Sequence, residues 1–253
     1  MIRAIAAGKS VKGPVRKRNE DAFYIDEGGR LFLVADGMGG QRGGECAANL
    51  AIDVIQESVR AACVPTGASD AQVEQVLRSA LVKANDEIMS LSAIEPMYHG
   101  MGTTIVFAYV VPPDRAYVGG IGDSRCYHLR KDKLRQLTTD HSLVEALRAY
   151  GMLTKEQEAD QRFRNTLWNY LGTKEARAGA DILVLEIRPA DRMLLTTDGL
   201  TSVVDDATIQ QILKQAATPN EAVAELIKTA LAKGSRDNIT CVAIFFVEQD
   251  AQP

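Results

Sequence analysis

No two of the four cysteines, Cys46, Cys63, Cys126 and Cys241, stand in a Cys-x-x-Cys pair, which excludes a zinc knuckle and a dithiol redox motif. None is followed by an arginine six positions later, so the thiolate phosphate-binding loop is missing as well. The four read as small apolar packing residues. Long apolar runs are also lacking: none approaches a membrane span, and the stretch from Met1 to Lys9 is too brief for a secretory signal. A cytoplasmic location and no membrane partner are therefore expected. Linkers rich in Pro and Ser, low-complexity tracts and internal repeats are absent, which makes residues 1–253 a single domain. Positive charge is not in excess. The net charge of -4 argues against nucleic acid as a partner, and the local cluster of Lys12, Arg16, Lys17 and Arg18 reads first as a solvated face. Two nucleotide fingerprints fail too. Gly8-Lys9-Ser10 has Arg3 where a phosphate loop needs its leading glycine, and Gly37-Met38-Gly39 is followed by Arg42 where a third glycine belongs.

What is present is an ordinary globular composition, 46% hydrophobic and 25% charged, sufficient for one substantial core. Strands are expected over 2–8, 21–26 and 31–35, the last two forming a hairpin across Glu27-Gly28-Gly29. Helices follow at 43–62 and 70–92, the second opened by the capping pattern Ser69-Asp70-Ala71-Gln72. A second block of strands covers 103–111, 116–120, 124–130 and 134–137, and its tight turns require antiparallel pairing. Short helices at 141–150 and 155–160 precede strands at 181–187 and 191–196. A last helix is delimited by Thr218-Pro219-Asn220-Glu221 at its start and Lys233-Gly234 at its end. The terminal strand, 239–247, is almost wholly apolar and so belongs inside its sheet. The fold class is α+β: antiparallel sheets with helices on their outer faces, a layered sandwich.

Five aspartates share one local setting: Asp21, Asp36, Asp123, Asp198 and Asp237 each stand at the edge of an apolar run, most of them beside glycine. Singly, Asp-Gly after a strand is a turn signal, because Asp bonds its own backbone and Gly tolerates positive φ. As a set they carry more. Five carboxylates brought to one end of a sheet would repel strongly unless cations neutralised them, and Mg²⁺ and Mn²⁺ take such oxygen ligands. Arg16 lies five residues before Asp21 at the mouth of a strand, and a guanidinium beside a metal cluster suits a phosphoryl group, which it grips through two parallel N–H bonds. The glycines of Gly37-Met38-Gly39-Gly40 serve either a flexible connection or a close backbone approach to a metal, with Gly37 lending its carbonyl.

Seven motifs then follow in order: Arg16-x-x-Asn19-Glu20-Asp21, Asp36-Gly37-Met38-Gly39-Gly40, Gly102-Thr103-Thr104, Gly122-Asp123-Ser124-Arg125, Asp140-His141-Ser142, Thr197-Asp198-Gly199-Leu200 and Asp237-Asn238-Ile239-Thr240. Over about residues 8–247 this series resembles the metal-dependent protein phosphatases of the PPM or PP2C type, and most closely their compact bacterial members. The resemblance implies a four-layer αββα sandwich of two antiparallel sheets flanked by antiparallel helices. It implies hydrolysis of phosphoserine and phosphothreonine in proteins. Asp36 would bridge two Mn²⁺ or Mg²⁺ ions, with Asp198 and Asp237 completing the first ion's protein ligands. The Gly37 carbonyl would serve the second ion, with Asp21, and Glu20 close by, holding it directly or through waters. Asp123 would hold a third, weaker ion near Asp198. A water shared by the two ions would attack phosphorus directly, without a phosphoenzyme, while Arg16 offsets phosphoryl charge.

In one respect the chain departs from the eukaryotic relatives. They carry a His directly after the Asp-Gly pair, proposed as the acid for the leaving oxygen, whereas here that residue is Met38. A metal-bound water, or one of His99, His128 and His141, would have to serve, although an imidazole is more often simply hydrogen-bonded in place. Residues 143–172, with Arg162, Arg164 and Asn165, correspond to the flap beside the active site in bacterial members. A scaffold that has lost its catalysis is expected to lack bridging carboxylates, and all five are present. The expected partners are phosphoprotein substrates, a Ser/Thr kinase or its targets, and the expected state is a monomer.

Overall fold

The computed structural model describes residues 2–39, 42–154, 163, 166–178 and 180–248. The expected helix at 155–160, together with Gly40, Arg162, Arg164 and Asn165, lies outside the described residues. Among these no helix is long and apolar enough to cross a membrane.

Two antiparallel sheets form the centre. One has the order β1 (Ile2–Val11), β11 (Ile239–Glu248), β10 (Arg192–Thr196), β7 (Arg125–Arg130), β8 (Lys133–Gln136). The other runs β2 (Asp21–Ile25), β3 (Leu31–Met38), β5 (Ile105–Val111), β6 (Arg115–Ile121), β9 (Leu183–Glu186), and the short β4 (Gly102–Thr103) pairs with the end of β3. The two-residue periodicity of strands decides the layering. On β3, Phe32 and Val34 meet Val242, Ile244 and Phe246 of β11 between the sheets. Their alternates Leu31, Leu33 and Ala35 face the helices α1 (Gly43–Ala62) and α2 (Asp70–Ile94). Across the molecule Cys241, Ala243 and Phe245 turn outward. Both faces of β11 are buried, which is why its sequence is continuously apolar rather than alternating.

The second helical layer contains α5 (Asp206–Gln215) and α6 (Pro219–Ala232), and the described residues also form the short helices α3 (Leu143–Ala149) and α4 (Asp198–Thr201). The expected caps form at α2, where Ser69 Oγ accepts from the Gln72 amide at 3.3 Å and Gln72 Oε1 accepts from the Ser69 amide at 2.9 Å. At α6 the Thr218 hydroxyl accepts from the Glu221 amide, but Glu221 reaches past it to the Ala217 amide at 2.9 Å. Helix α5 is not among the elements expected from the sequence. Only Ile209 and Leu213 are buried along its ten residues, and its clearest start signal is Asp205, whose carboxylate accepts from the Thr208 amide at 2.8 Å.

Candidate metal centre

Antiparallel order brings the ends of β3, β6 and β10 and the starts of β2 and β11 to one edge of the sandwich. Asp21 and Asp36 are paired residues of β2 and β3. Asp123 follows β6, Asp198 opens α4 directly after β10, and Asp237 precedes β11. The Thr197 amide bonds the Thr240 carbonyl at 3.1 Å, which ties the Asp198 and Asp237 segments together. Asp36, Gly37, Asp123, Asp198 and Asp237 line one cleft of about 790 Å³, with Glu20 and Arg16 on its wall. Asp21 does not line it. Asp21 is buried, and its Oδ2 accepts from the hydroxyls of Thr197 at 3.0 Å and Thr240 at 2.7 Å.

Crowded carboxylates in a buried setting hold on to their protons. Burial is the main cause for Asp36, with the charges of Asp21, Asp198, Asp123 and Asp237 added, and its carboxyl lies well above the usual range. Asp21 is raised to about 7 by burial, its two threonine hydroxyls pulling the other way. Asp123 is raised to about 7 by burial and then by Asp198 and Asp140. Asp198 is also raised, by burial and Asp237, against a hydrogen bond with Asp36 that lowers it. Asp21 Oδ1 and Asp198 Oδ1 are buried without a hydrogen-bond partner. Unpartnered anionic oxygens in a cleft without soft ligands suit a hard divalent cation. The donors line a cleft rather than a cage: among the described residues no three His, Cys, Asp or Glu side chains close round one point.

Arg16 reaches Asp237 through an Nη2 to Oδ2 bond of 2.5 Å, and this bond, then the charges of Asp237, Asp36 and Glu20, holds the guanidinium charged against partial burial. The 12–20 segment that carries it is fastened by Asn238, whose Oδ1 accepts from the Glu20 amide at 2.8 Å and whose Nδ2 donates to the carbonyls of Lys12 at 2.6 Å and Arg18 at 2.9 Å. Asn238 belongs to one of the seven sequence motifs, but nothing in its spacing points to this task. Asn238→Ala orphans three backbone groups and is expected to cost about 2–4 kcal/mol. It should also raise KM through a loosened Arg16, which thermal melts and steady-state kinetics on one preparation would separate.

Threonines beside the site clamp Asp36 in the same manner. Thr104 Oγ1 accepts from the Asp36 amide at 3.0 Å and shares a 2.7 Å bond with Ser124, while Thr103 Oγ1 donates to the Asp36 carbonyl at 2.9 Å. Arg125 forks onto Asp140 with bonds of 2.7–3.0 Å, joining two of the sequence motifs. Gly37 is demanded by packing as well: a Cβ there would stand 2.0 Å from the Gly44 carbonyl oxygen and 2.7 Å from that of Glu20. None of the three histidines lines the cleft. His99 is exposed, His128 lies 3.2 Å from Asp191, and His141 faces Gly122.

The family model described as Protein phosphatase 2C matches residues 15–233. Serine/threonine phosphatase stp of Listeria monocytogenes is 34% identical over 242 residues, covering 94% of this chain and 93% of its own. Protein phosphatase PhpP of Streptococcus pneumoniae is 31% identical over 244 residues, covering 95% and 96%. The solved catalytic domain of serine/threonine protein phosphatase PstP, in complex with two manganese ions, superposes with a TM-score of 0.83 at 33% identity, covering 98% of this chain and 100% of that one. Stp1 from Staphylococcus aureus gives a TM-score of 0.85 at 30% identity, covering 96% and 95%.

Proposed function

This chain belongs to the protein phosphatase 2C family of metal-dependent serine/threonine phosphatases, and on that premise we infer that it hydrolyses phosphoserine and phosphothreonine in proteins, opposing a Ser/Thr kinase. The observation that carries this reading is the meeting of Asp36, Asp198 and Asp237, from three distant segments, in one cleft beside Arg16.

In this reading Asp36 would be the ligand common to two ions, Asp198 and Asp237 would complete one, and the Gly37 carbonyl would serve the other. Asp21, with its free Oδ1 and with Glu20 close by, would hold that second ion directly or through water. Asp123 would hold a third, weaker ion near Asp198. When bound, Mn²⁺ or Mg²⁺ would supply an acidified water as the nucleophile toward phosphorus and would neutralise phosphoryl charge. Arg16, steadied by Asp237, receives the phosphoryl oxygens and keeps the ester aligned. Met38 lines the cleft and has no proton to give, and no histidine reaches it. A water in the cleft would take the place of that histidine as proton donor to the leaving serine or threonine oxygen. The protein works as a monomer in the cytoplasm.

Purified protein should release phosphate from a phosphothreonine peptide with Mn²⁺ and stop with chelator. Arg16→Ala should lower kcat/KM about 10- to 100-fold, the ~1.5–3 kcal/mol of a charge-assisted bond. Turnover that chelator leaves untouched would refute the reading.

A further inference from the structure

We propose that the cavity between the β7–β8 hairpin, the approach to β10 and the end of α5 binds a phosphate group, at the opposite end of its sheet from the metal cleft. The proposal stands apart from the reading of that cleft.

Antiparallel strands carry this cavity away from the carboxylates. β10 starts at Arg192 and ends at Thr196, two residues before Asp198, while its neighbour β7 runs back from Arg125 to Arg130. About 13 Å of strand therefore separates Arg192 from the metal edge. The cavity has a volume of about 280 Å³, room for a small anion and its waters. Arg130, Lys131, Arg188, Arg192 and Lys214 line it with Asp132 and Asp191, an excess of three positive charges on a chain whose net charge is -4.

Both acids are already engaged. Asp191 is buried and accepts from Arg130 Nε at 2.9 Å, from Arg130 Nη2 at 2.6 Å and from the Arg188 amide at 2.9 Å. Asp132 pairs with Lys214 at 2.6 Å. Lys131 and Arg192 have no carboxylate partner among the described residues. Arg192 is nevertheless fixed in place: its Nη1 donates to the carbonyls of Leu213 and Ala216, the latter at 2.8 Å, and its guanidinium lies 4.1 Å over the Phe245 ring. Satisfying the last carbonyls of α5 accounts for Nη1 alone. Nε and Nη2, the side-on edge of the fork, have no partner among the described residues, and that edge fits two oxygens of a phosphate. Burial alone acts on the Arg192 pKa, downward, as it does on a cation that lacks a counter-charge.

The backbone of the cavity is unusual as well. Three non-glycine residues have positive φ among the described residues, and two of them, Lys131 at +55° and Ala190 at +69°, line it. A two-residue hairpin turn ordinarily takes Asn or Gly at such a position, and here it presents a cation. The turn at Ala190 is pinned to β11, because the Ala190 amide donates to the Phe246 carbonyl at 2.8 Å and the Phe246 amide to the Asp191 carbonyl at 3.0 Å. The cations thus stand on a rigid frame.

Chelator-stripped protein is titrated with inorganic phosphate in a calorimeter at fixed ionic strength, with acetate as the control anion. The wild type should show a saturable site for phosphate and none for acetate. That site should persist in Arg16→Ala, which removes the guanidinium of the metal cleft. Lys131→Gly combined with Arg188→Gln removes two cations, and glycine suits the left-handed backbone at 131, so the melting temperature should hold. Phosphate affinity should fall about tenfold or more in this variant, from the loss of charge-assisted bonds. Arg192→Lys, which keeps the charge without the fork, should weaken phosphate about three- to tenfold. In the Arg16→Ala protein, displacement of phosphate by a phosphothreonine peptide assigns the site to a phosphoryl group carried on a protein, and no displacement assigns it to free phosphate; either result keeps the site. A wild type without saturable phosphate binding overturns the proposal. So do equal binding of acetate, loss of the site in Arg16→Ala, and an affinity unchanged by Lys131→Gly with Arg188→Gln.

Discussion

Asp36→Asn should reduce turnover of a phosphothreonine peptide by about a thousandfold or more, because a bridging ligand serves both ions and its loss removes several kcal/mol of transition-state stabilisation. The same substitution should make the metal-free protein more stable. Asp36 is buried and faces the charges of Asp21, Asp198, Asp123 and Asp237, so its ionised form opposes folding. An amide of the same shape removes that repulsion at the cost of the ligand. In chelator at pH 8 the variant should therefore melt above the wild type, and with saturating Mn²⁺ below it. Ligand binding at a hundred times Kd adds about 2.7 kcal/mol to the wild type, an increment the variant should lose. A variant that is less stable in chelator and equally stabilised by Mn²⁺ would mean that Asp36 does neither job.

A second large effect concerns pH. The carboxyls of Asp21 and Asp123 are raised to about 7 in the folded chain, from 3.8 without the fold. The folded form thus binds more protons between these values, and stability falls wherever the native state holds the excess. The contribution is fully present below about pH 4 and is lost as pH rises through about 7. In chelator, melting temperature should accordingly drop between pH 5 and pH 8. Mn²⁺ needs the same carboxyls ionised, so the stabilisation it adds should grow over that range. Melting curves at four or five pH values, with and without Mn²⁺, check both slopes. A chelated protein that gains stability toward pH 8 would contradict the clustering of charge at this edge.

Much of this was legible in the sequence because the information is local. Both-face burial writes β11 as an unbroken apolar run, and a Ser-x-x-Gln start announces α2. The carboxylates were legible as a set because each ends or precedes a strand, and antiparallel pairing sends those ends to one edge. What escaped is what depends on distant partners. The three bonds of Asn238 go to residues more than 200 positions away, and no period or spacing encodes them. Asp21 and Asp36 look alike in sequence, yet one lines the cleft while the other is enclosed by the Thr197 and Thr240 hydroxyls, a difference set by the meeting of two sheets. Helix α5 escaped although its apolar residues recur at helical spacing and Asp205 caps it: its ten residues are mostly polar, and Ile209 and Leu213 alone are buried. Gly37 reads in sequence as a flexible connection or a close backbone approach to an ion, and the approach of Gly44 and Glu20 adds a packing reason for glycine there.

The most direct measurement of the central claim is an anomalous difference map from crystals grown with Mn²⁺. Two peaks should lie in the cleft, both within bonding distance of Asp36, one also touching Asp198 and Asp237 and the other the Gly37 carbonyl. Manganese bound away from Asp36, or no peak in the cleft at saturating Mn²⁺, would contradict it.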